Sequence, residues 1–260
     1  MKIDISGKVV IVTGAARGIG KVIAETFAKE GVKLSLWDID YDALTAVADS
    51  ILTQSGTKPI AIKCDVSSEQ EVNDAVKKTV DKFGTVDVLI ANAGILNASK
   101  ILETSGERWD EVFDVNTKGP FLCAKAVAPY LKEKKSGRII FASSFAAILP
   151  SVGSAAYAAS KSAVVSFTRV LAAELGPWNI TVNAYAPGMI PTNMSAIDTL
   201  TESRKNDMLD TLCIREWGSA DDIASLLIFL ASEQARYITG TLIDTSGGKF
   251  SVQFAKLARS

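Results

Sequence analysis

The chain has 260 residues, 48% of them hydrophobic, enough for the core of one α/β domain or at most two small ones. Its net charge is −1 with both signs interspersed, which argues against nucleic acid and against an anionic membrane as partners. Histidine is absent, so His-based triads are excluded, no metal site is expected, and another side chain must carry protons near neutral pH.

Cys64, Cys123 and Cys213 stand singly, without Cys-x-x-Cys spacing, and are expected to be reduced and mostly buried. The N-terminus shows no signal-peptide core, and no apolar run approaches transmembrane length. A soluble, cytoplasmic protein is expected.

In chain order the pattern alternates strand and helix. Residues 9–13 form an apolar strand, 19–29 show helical spacing that ends at Gly31, 33–38 form a second strand, and 41–54 a second helix. A third strand covers 60–63. Ser67, with Gln70 three residues on, predicts a capped start for a helix that reaches Phe83. Residues 86–91 are strand four, helices follow near 108–115 and 119–134, and strand five covers 138–142. A long helix from Tyr157 stops at Leu175-Gly176-Pro177, then come strand six at 180–186 and a last strand at 241–245. Repeated β-α units with strands this apolar imply an α/β fold in one domain spanning 1–260, a doubly wound parallel β-sheet flanked by helices on both faces. The stretch 189–217 follows a strand end, mixes Pro, Thr, Asn and Met, and reads as a substrate lid; 249–260 is a C-terminal tail.

Two constellations carry chemistry. Gly14-Ala-Ala-Arg17-Gly18-Ile19-Gly20 lies where strand one meets helix one, where glycines permit a tight turn and a helix N-terminus favours a pyrophosphate. Asp38 ends strand two, where a carboxylate can accept from both adenosine ribose hydroxyls and would repel a 2′-phosphate, favouring NAD over NADP. Arg17 argues the other way, since a cation in the turn could meet that phosphate. The second constellation is Tyr157-x-x-x-Lys161, one helical turn apart on one face. A phenol loses its proton near pH ~10, and a neighbouring ammonium is expected to lower that value towards the range of general acid–base work. Ser144, thirteen residues upstream of Tyr157, could add a hydrogen bond to the same substrate oxygen.

The ordered set of Thr13 to Gly20, Asn92-Ala93-Gly94, Asn116, Ser144, Tyr157-x-x-x-Lys161 and Pro187-Gly188 resembles the short-chain dehydrogenase/reductase family, from Lys8 to about Gly248. The resemblance implies a Rossmann-like fold and a cytoplasmic NAD-dependent oxidoreductase that interconverts a secondary alcohol, polyol or sugar hydroxyl and a ketone. It implies Tyr157 as acid/base, Lys161 as its electrostatic partner and ribose holder, Ser144 on the substrate oxygen, and Asn116 in the proton relay. It further implies Asp65 and Val66 at the adenine, Asn92 and Gly94 against the cofactor, and Ile190 and Thr192, after Pro187-Gly188, at the carboxamide. Leu96, Phe145, Ser154, Met189 and Met194 would face a small-molecule alcohol or ketone. A homotetramer or homodimer is implied through the two long helices and the last strand. The alternatives are an NADPH-dependent 3-oxoacyl-acyl-carrier-protein reductase, with Arg17 as its cue, and a non-catalytic nucleotide-sensing protein.

Overall fold

The computed structural model describes residues 3–192, 194–195, 197–251 and 254–259. Among the described residues, seven strands form one sheet: β1 (Val9–Thr13), β2 (Lys33–Asp38), β3 (Ile60–Lys63), β4 (Val88–Ala91), β5 (Gly137–Ala142), β6 (Ile180–Pro187) and β7 (Leu242–Thr245). All neighbours are parallel and the order is 3-2-1-4-5-6-7. The winding reverses between β1 and β4, where the carboxyl ends of adjacent strands open a crevice.

Strand residues alternate between two cores, as a pleat requires. Val10 and Val12 of β1 join Leu34 and Leu36 of β2 in one core. Ile11 and Trp37, on the other face, join the second. Helices α1 (Gly18–Lys29), α2 (Tyr41–Ser55) and α8 (Ala220–Ala231) cover the first core. Helices α3 (Glu69–Phe83), α5 (Gly119–Lys134) and α6 (Ala155–Leu175) cover the second. The fold is therefore the expected Rossmann-like, doubly wound α/β sheet. Two shorter helices, α4 (Gly106–Phe113) and α7 (Glu202–Leu209), lie outside this sandwich pattern, and among the described residues no helix is long and apolar enough to cross a membrane.

Local differences from the sequence reading have local causes. The cap of α3 is Ser68, whose hydroxyl accepts from the Glu71 N–H; Ser67 is instead turned inward, donating from both N–H and Oγ to Asp65 Oδ1. At the end of α6, Gly176 remains helical (φ −52), one tighter turn follows over Gly176–Trp178, and Asn179 takes the left-handed position at φ 57. Burial pushes the Cys64 thiol up to about 12 and that of Cys123 up as well, so both stay protonated. Cys213, by contrast, is exposed.

One buried polar chain ties α3 to the sheet. Trp37 Nε1 donates to Ser35 Oγ (2.8 Å), Ser35 Oγ lies 2.7 Å from Thr79 Oγ1, and Thr79 Oγ1 donates to the Ala75 carbonyl (2.8 Å). Ser35 and Trp37 share one face of β2, and all three side chains are almost wholly buried. Removing the central hydroxyl strands an indole N–H away from water. Ser35→Ala should therefore lower the unfolding free energy by about 1–3 kcal/mol in urea titration. A change within about 0.5 kcal/mol would show that the chain adds nothing to stability.

Candidate active site

The crevice is built where β1 and β4 end. Gly14 follows β1 with φ +66, and a Cβ there would stand 2.8 Å from Ala93 Cα. At Gly20 a Cβ would fall 2.0 Å from the Gly14 carbonyl oxygen, so any side chain at that position would push α1 off the turn. Asn92 holds the two strand ends together: Nδ2 donates to the carbonyls of Thr13 (3.1 Å) and Gly14 (3.3 Å). Its Oδ1 accepts from the Tyr185 hydroxyl (3.0 Å). In return, Thr13 Oγ1 accepts from the N–H groups of Asn92 and Ala93. Gly18 opens α1, whose N-cap Arg17 makes no side-chain cap bond, and the Thr192 methyl lies 3.9 Å from where a Gly18 Cβ would stand. An uncapped helix start beside close-packed glycines leaves N–H donors open to an anion, which fits the pyrophosphate of a dinucleotide. Ile19 follows in the first turn of α1 and is packed against the core below.

Asp38 sits at the tip of β2, facing the same turn. Its Oδ2 accepts from the Ala16 N–H (2.9 Å) and its Oδ1 from the Asp40 N–H (3.0 Å). A carboxylate has about four lone-pair sites, so both oxygens retain acceptor capacity for ribose hydroxyls. Arg17 points elsewhere: its Nη2 meets Asp40 Oδ2 at 2.6 Å. Past β3, Asp65 is engaged by Ser67, and the buried Val66 comes within 2.9 Å of the position a Gly119 Cβ would occupy.

Tyr157 and Lys161 project from the first turns of α6. Lys161 is 3% exposed, its Nζ donates to the Ala142 carbonyl (2.8 Å), and it lies 5.8 Å from the Tyr157 ring centroid. Burial draws its pKa down to about 8. Ser144, just past β5, accepts from the Ala146 N–H (3.1 Å). Burial raises the pKa of the Tyr157 phenol, and a hydrogen bond with Ser144 pulls it back. The sequence expectation was a phenol lowered by Lys161. In the structure desolvation is the larger effect and runs the other way, and the lysine is itself depressed.

Asn116 occupies a π-helical turn, Asp114–Lys118, between α4 and α5. Its Oδ1 accepts from the Ile95 N–H (2.8 Å), while Nδ2 donates to the Ile95 carbonyl (2.9 Å) and to Ser160 Oγ (3.1 Å). The fully buried amide thus clamps the loop after β4 to α6. Gly94 lies over both groups: a Cβ there would be 3.1 Å from Asn116 Oδ1 and 3.2 Å from Lys161 Nζ.

The residues expected to face substrate are less uniform. Leu96 and Phe145 are half-buried, and Met194 is exposed. The Leu96 carbonyl accepts from Arg108 Nη2 (2.7 Å). Ser154 is occupied locally, donating to the Ser151 carbonyl (2.7 Å) and accepting its N–H. Beyond β6, which Pro187 ends, Gly188 packs on Ser246, with only 2.5 Å between a would-be Cβ and Ser246 Cα. Met189 accepts from the Gly218 N–H (3.1 Å), and Ile190 is 5% exposed. Sequence reasoning missed the hydroxyls of Tyr185 and Ser160, which no local motif marks, and gave no partner to that of Thr13, although Thr13 opens the glycine motif. It also missed Asp40, although an Asp just before a helical pattern is a recognisable N-cap signal.

The family described as Enoyl-(Acyl carrier protein) reductase matches residues 14–249. A protein of Staphylococcus epidermidis named 3-oxoacyl-[acyl-carrier-protein] reductase is 38% identical over 244 residues, covering 94% of this chain and 99% of that one. One of the same name from Synechocystis is 37% identical over 249 residues, covering 94% and 97%. Among solved structures, Levodione Reductase superposes with TM-score 0.91 at 30% identity over 95% of this chain and 99% of that one. A short-chain type dehydrogenase/reductase from Mycobacterium marinum gives 0.89 at 30%, over 96% and 98%. With matches of this extent in both sequence and fold, the chain belongs to the short-chain dehydrogenase/reductase family, oxidoreductases that bind a nicotinamide cofactor.

Proposed function

We propose that the protein is an NAD-linked oxidoreductase that interconverts a secondary alcohol and a ketone, with Tyr157 as acid/base. The observation that carries this reading is the convergence of Ser144, Tyr157 and Lys161: a serine that holds the phenol back against the rise that burial imposes, and a buried ammonium one turn away, 5.8 Å from the phenol ring centroid. The nicotinamide, when bound, supplies the hydride acceptor or donor. In oxidation the Tyr157 oxygen takes the alcohol proton, Ser144 holds the same substrate oxygen, and the Lys161 charge favours the phenolate during the transfer. Burial raises the phenol, so the Lys161 charge has to offset that desolvation for the phenolate to form. Asn116, clamped to Ile95 and Ser160, positions the wall behind the lysine.

The remaining roles follow the same reading. Gly14, Arg17, Gly18, Ile19 and Gly20 frame the pyrophosphate, Asp38 holds the adenosine ribose, and Asp65 and Val66 flank the adenine. Asn92, Gly94, Pro187, Gly188, Ile190 and Thr192 line the nicotinamide half. The segment 189–217, of which 193 and 196 lie outside the described residues, is read as a lid within one domain; the Gly218 N–H just beyond it donates to the Met189 carbonyl at its start. Leu96, Phe145, Met189 and Met194 give the substrate mouth its apolar character. Family members are typically oligomeric, and the exposed Phe121 of α5 and Val170 of α6 support self-association through these helices.

A second reading, NADPH-linked reduction of 3-oxoacyl thioesters, is favoured by the names of the relatives at 37–38% identity. Nicotinamide absorbance with both cofactors separates the two. NAD-linked turnover of secondary alcohols or polyols is expected, whereas NADPH-linked turnover confined to 3-oxoacyl thioesters would establish the second reading.

Tyr157→Phe should lower kcat about 10³-fold with NAD affinity nearly intact, because only the proton carrier is lost. Near-normal turnover would refute the assignment. Lys161 supplies a second check. An unfolded lysine keeps its proton to its ordinary value of 10.5, while the folded one releases it at about 8. Between these values the unfolded state binds more protons, so this site's contribution to stability rises with pH, and its burial penalty is complete below the folded value. Lys161→Met should therefore have its greatest stability relative to wild type at neutral pH. That relative advantage should shrink by up to about 3 kcal/mol as pH rises through the window. Parallel stability curves for the two proteins would contradict a depressed lysine.

A further inference from the structure

Arg17 is the cation that the glycine turn carries, next to Ala16, whose N–H binds Asp38; on the reading above, a 2′-phosphate on the adenosine ribose would call on it for a counter-charge. The structure directs it elsewhere. Its Nη2 is 2.6 Å from Asp40 Oδ2. Asp40 is itself held at the N-cap of α2, where Oδ1 accepts from the Ala43 N–H (3.2 Å). The Asp40 N–H in turn donates to Oδ1 of Asp38 (3.0 Å), whose Oδ2 accepts from Ala16, the neighbour of Arg17 (2.9 Å). Turn, strand tip and helix start thus form one closed ring in which the guanidinium is paired on the α2 side.

We propose that Asp40 is a positioning residue for cofactor choice: it holds Arg17 away from the adenosine 2′ position and sharpens discrimination against NADP. The inference rests on the NAD reading above. Three charges meet here, those of Asp38, Asp40 and Arg17, and they sum to −1, so a 2′-phosphate meets net repulsion. The Arg17 and Asp40 side chains are 63% and 40% exposed, so their pairing adds little to stability. Its consequence is one of direction and charge. An Asp40→Asn substitution keeps an oxygen at the N-cap, removes one negative charge, and leaves the guanidinium without its charged partner.

The test is calorimetric titration of NAD and NADP against the full-length wild type, Asp40→Asn, and Asp40→Asn combined with Arg17→Gln. Asp40→Asn should tighten NADP about tenfold while NAD changes less than about threefold, and the gain should vanish in the double variant. A merely structural role would weaken both cofactors together and would not depend on Arg17. An NADP/NAD affinity ratio unmoved by Asp40→Asn, in a wild type that prefers NAD, overturns the role of Asp40 alone. A gain that persists without Arg17 overturns it too. A wild type that already binds NADP more tightly overturns the NAD reading itself.

Discussion

The Asn92 amide, donating to the carbonyls of Thr13 and Gly14, joins the end of β4 to the turn after β1. These adjacent strands lie where the winding reverses, so helices leave their ends on opposite faces and the crevice between them has no wall of its own. Asn92 and Thr13 supply that wall with reciprocal hydrogen bonds, and Tyr185 braces it from β6. Everything proposed for the cofactor depends on this seam. If it opened, the glycine turn, the loop through Gly94 and the strand tip at Asp38 would lose their common frame.

A second constraint is electrostatic. Lys161 is buried with its ammonium on a backbone carbonyl, and burial alone draws it down to about 8. Placing a charge there destabilises the fold, and the Tyr157 phenol beside it is raised for the same reason. Such opposed shifts in neighbouring groups support the acid–base role proposed for this pair. Asn116 and Gly94 then define how near the β4 loop can come to the lysine, and the π-helical turn places Asn116 where it reaches both that loop and α6.

Much of the fold was legible in the chain because its signals are short-range. Apolar runs marked the strands to within two residues, and glycines at φ 73 and 81 close α2 and α3 where the pattern ended. Tyr157 and Lys161 could be paired because a helix brings residues four apart together wherever it sits. The Ser67 cap failed for an equally local reason, since Asp65 claimed that hydroxyl and left Ser68 to the helix.

By itself, then, the sequence determined the α/β class, the order of strands and helices along the chain, and the residue types needed for a dinucleotide and a proton carrier. Tertiary structure alone decided which of those groups meet. Arg17 with Asp40, Asn116 with Ser160 and Asn92 with Tyr185 are separated by 23, 44 and 93 positions. The direction of the phenol shift was likewise decided there, by the depth of burial. Hydrophobic periodicity reports which face of an element is buried, but not which element covers it. Those contacts exist only once the sheet has set β1 between β2 and β4, and β6 beside β5.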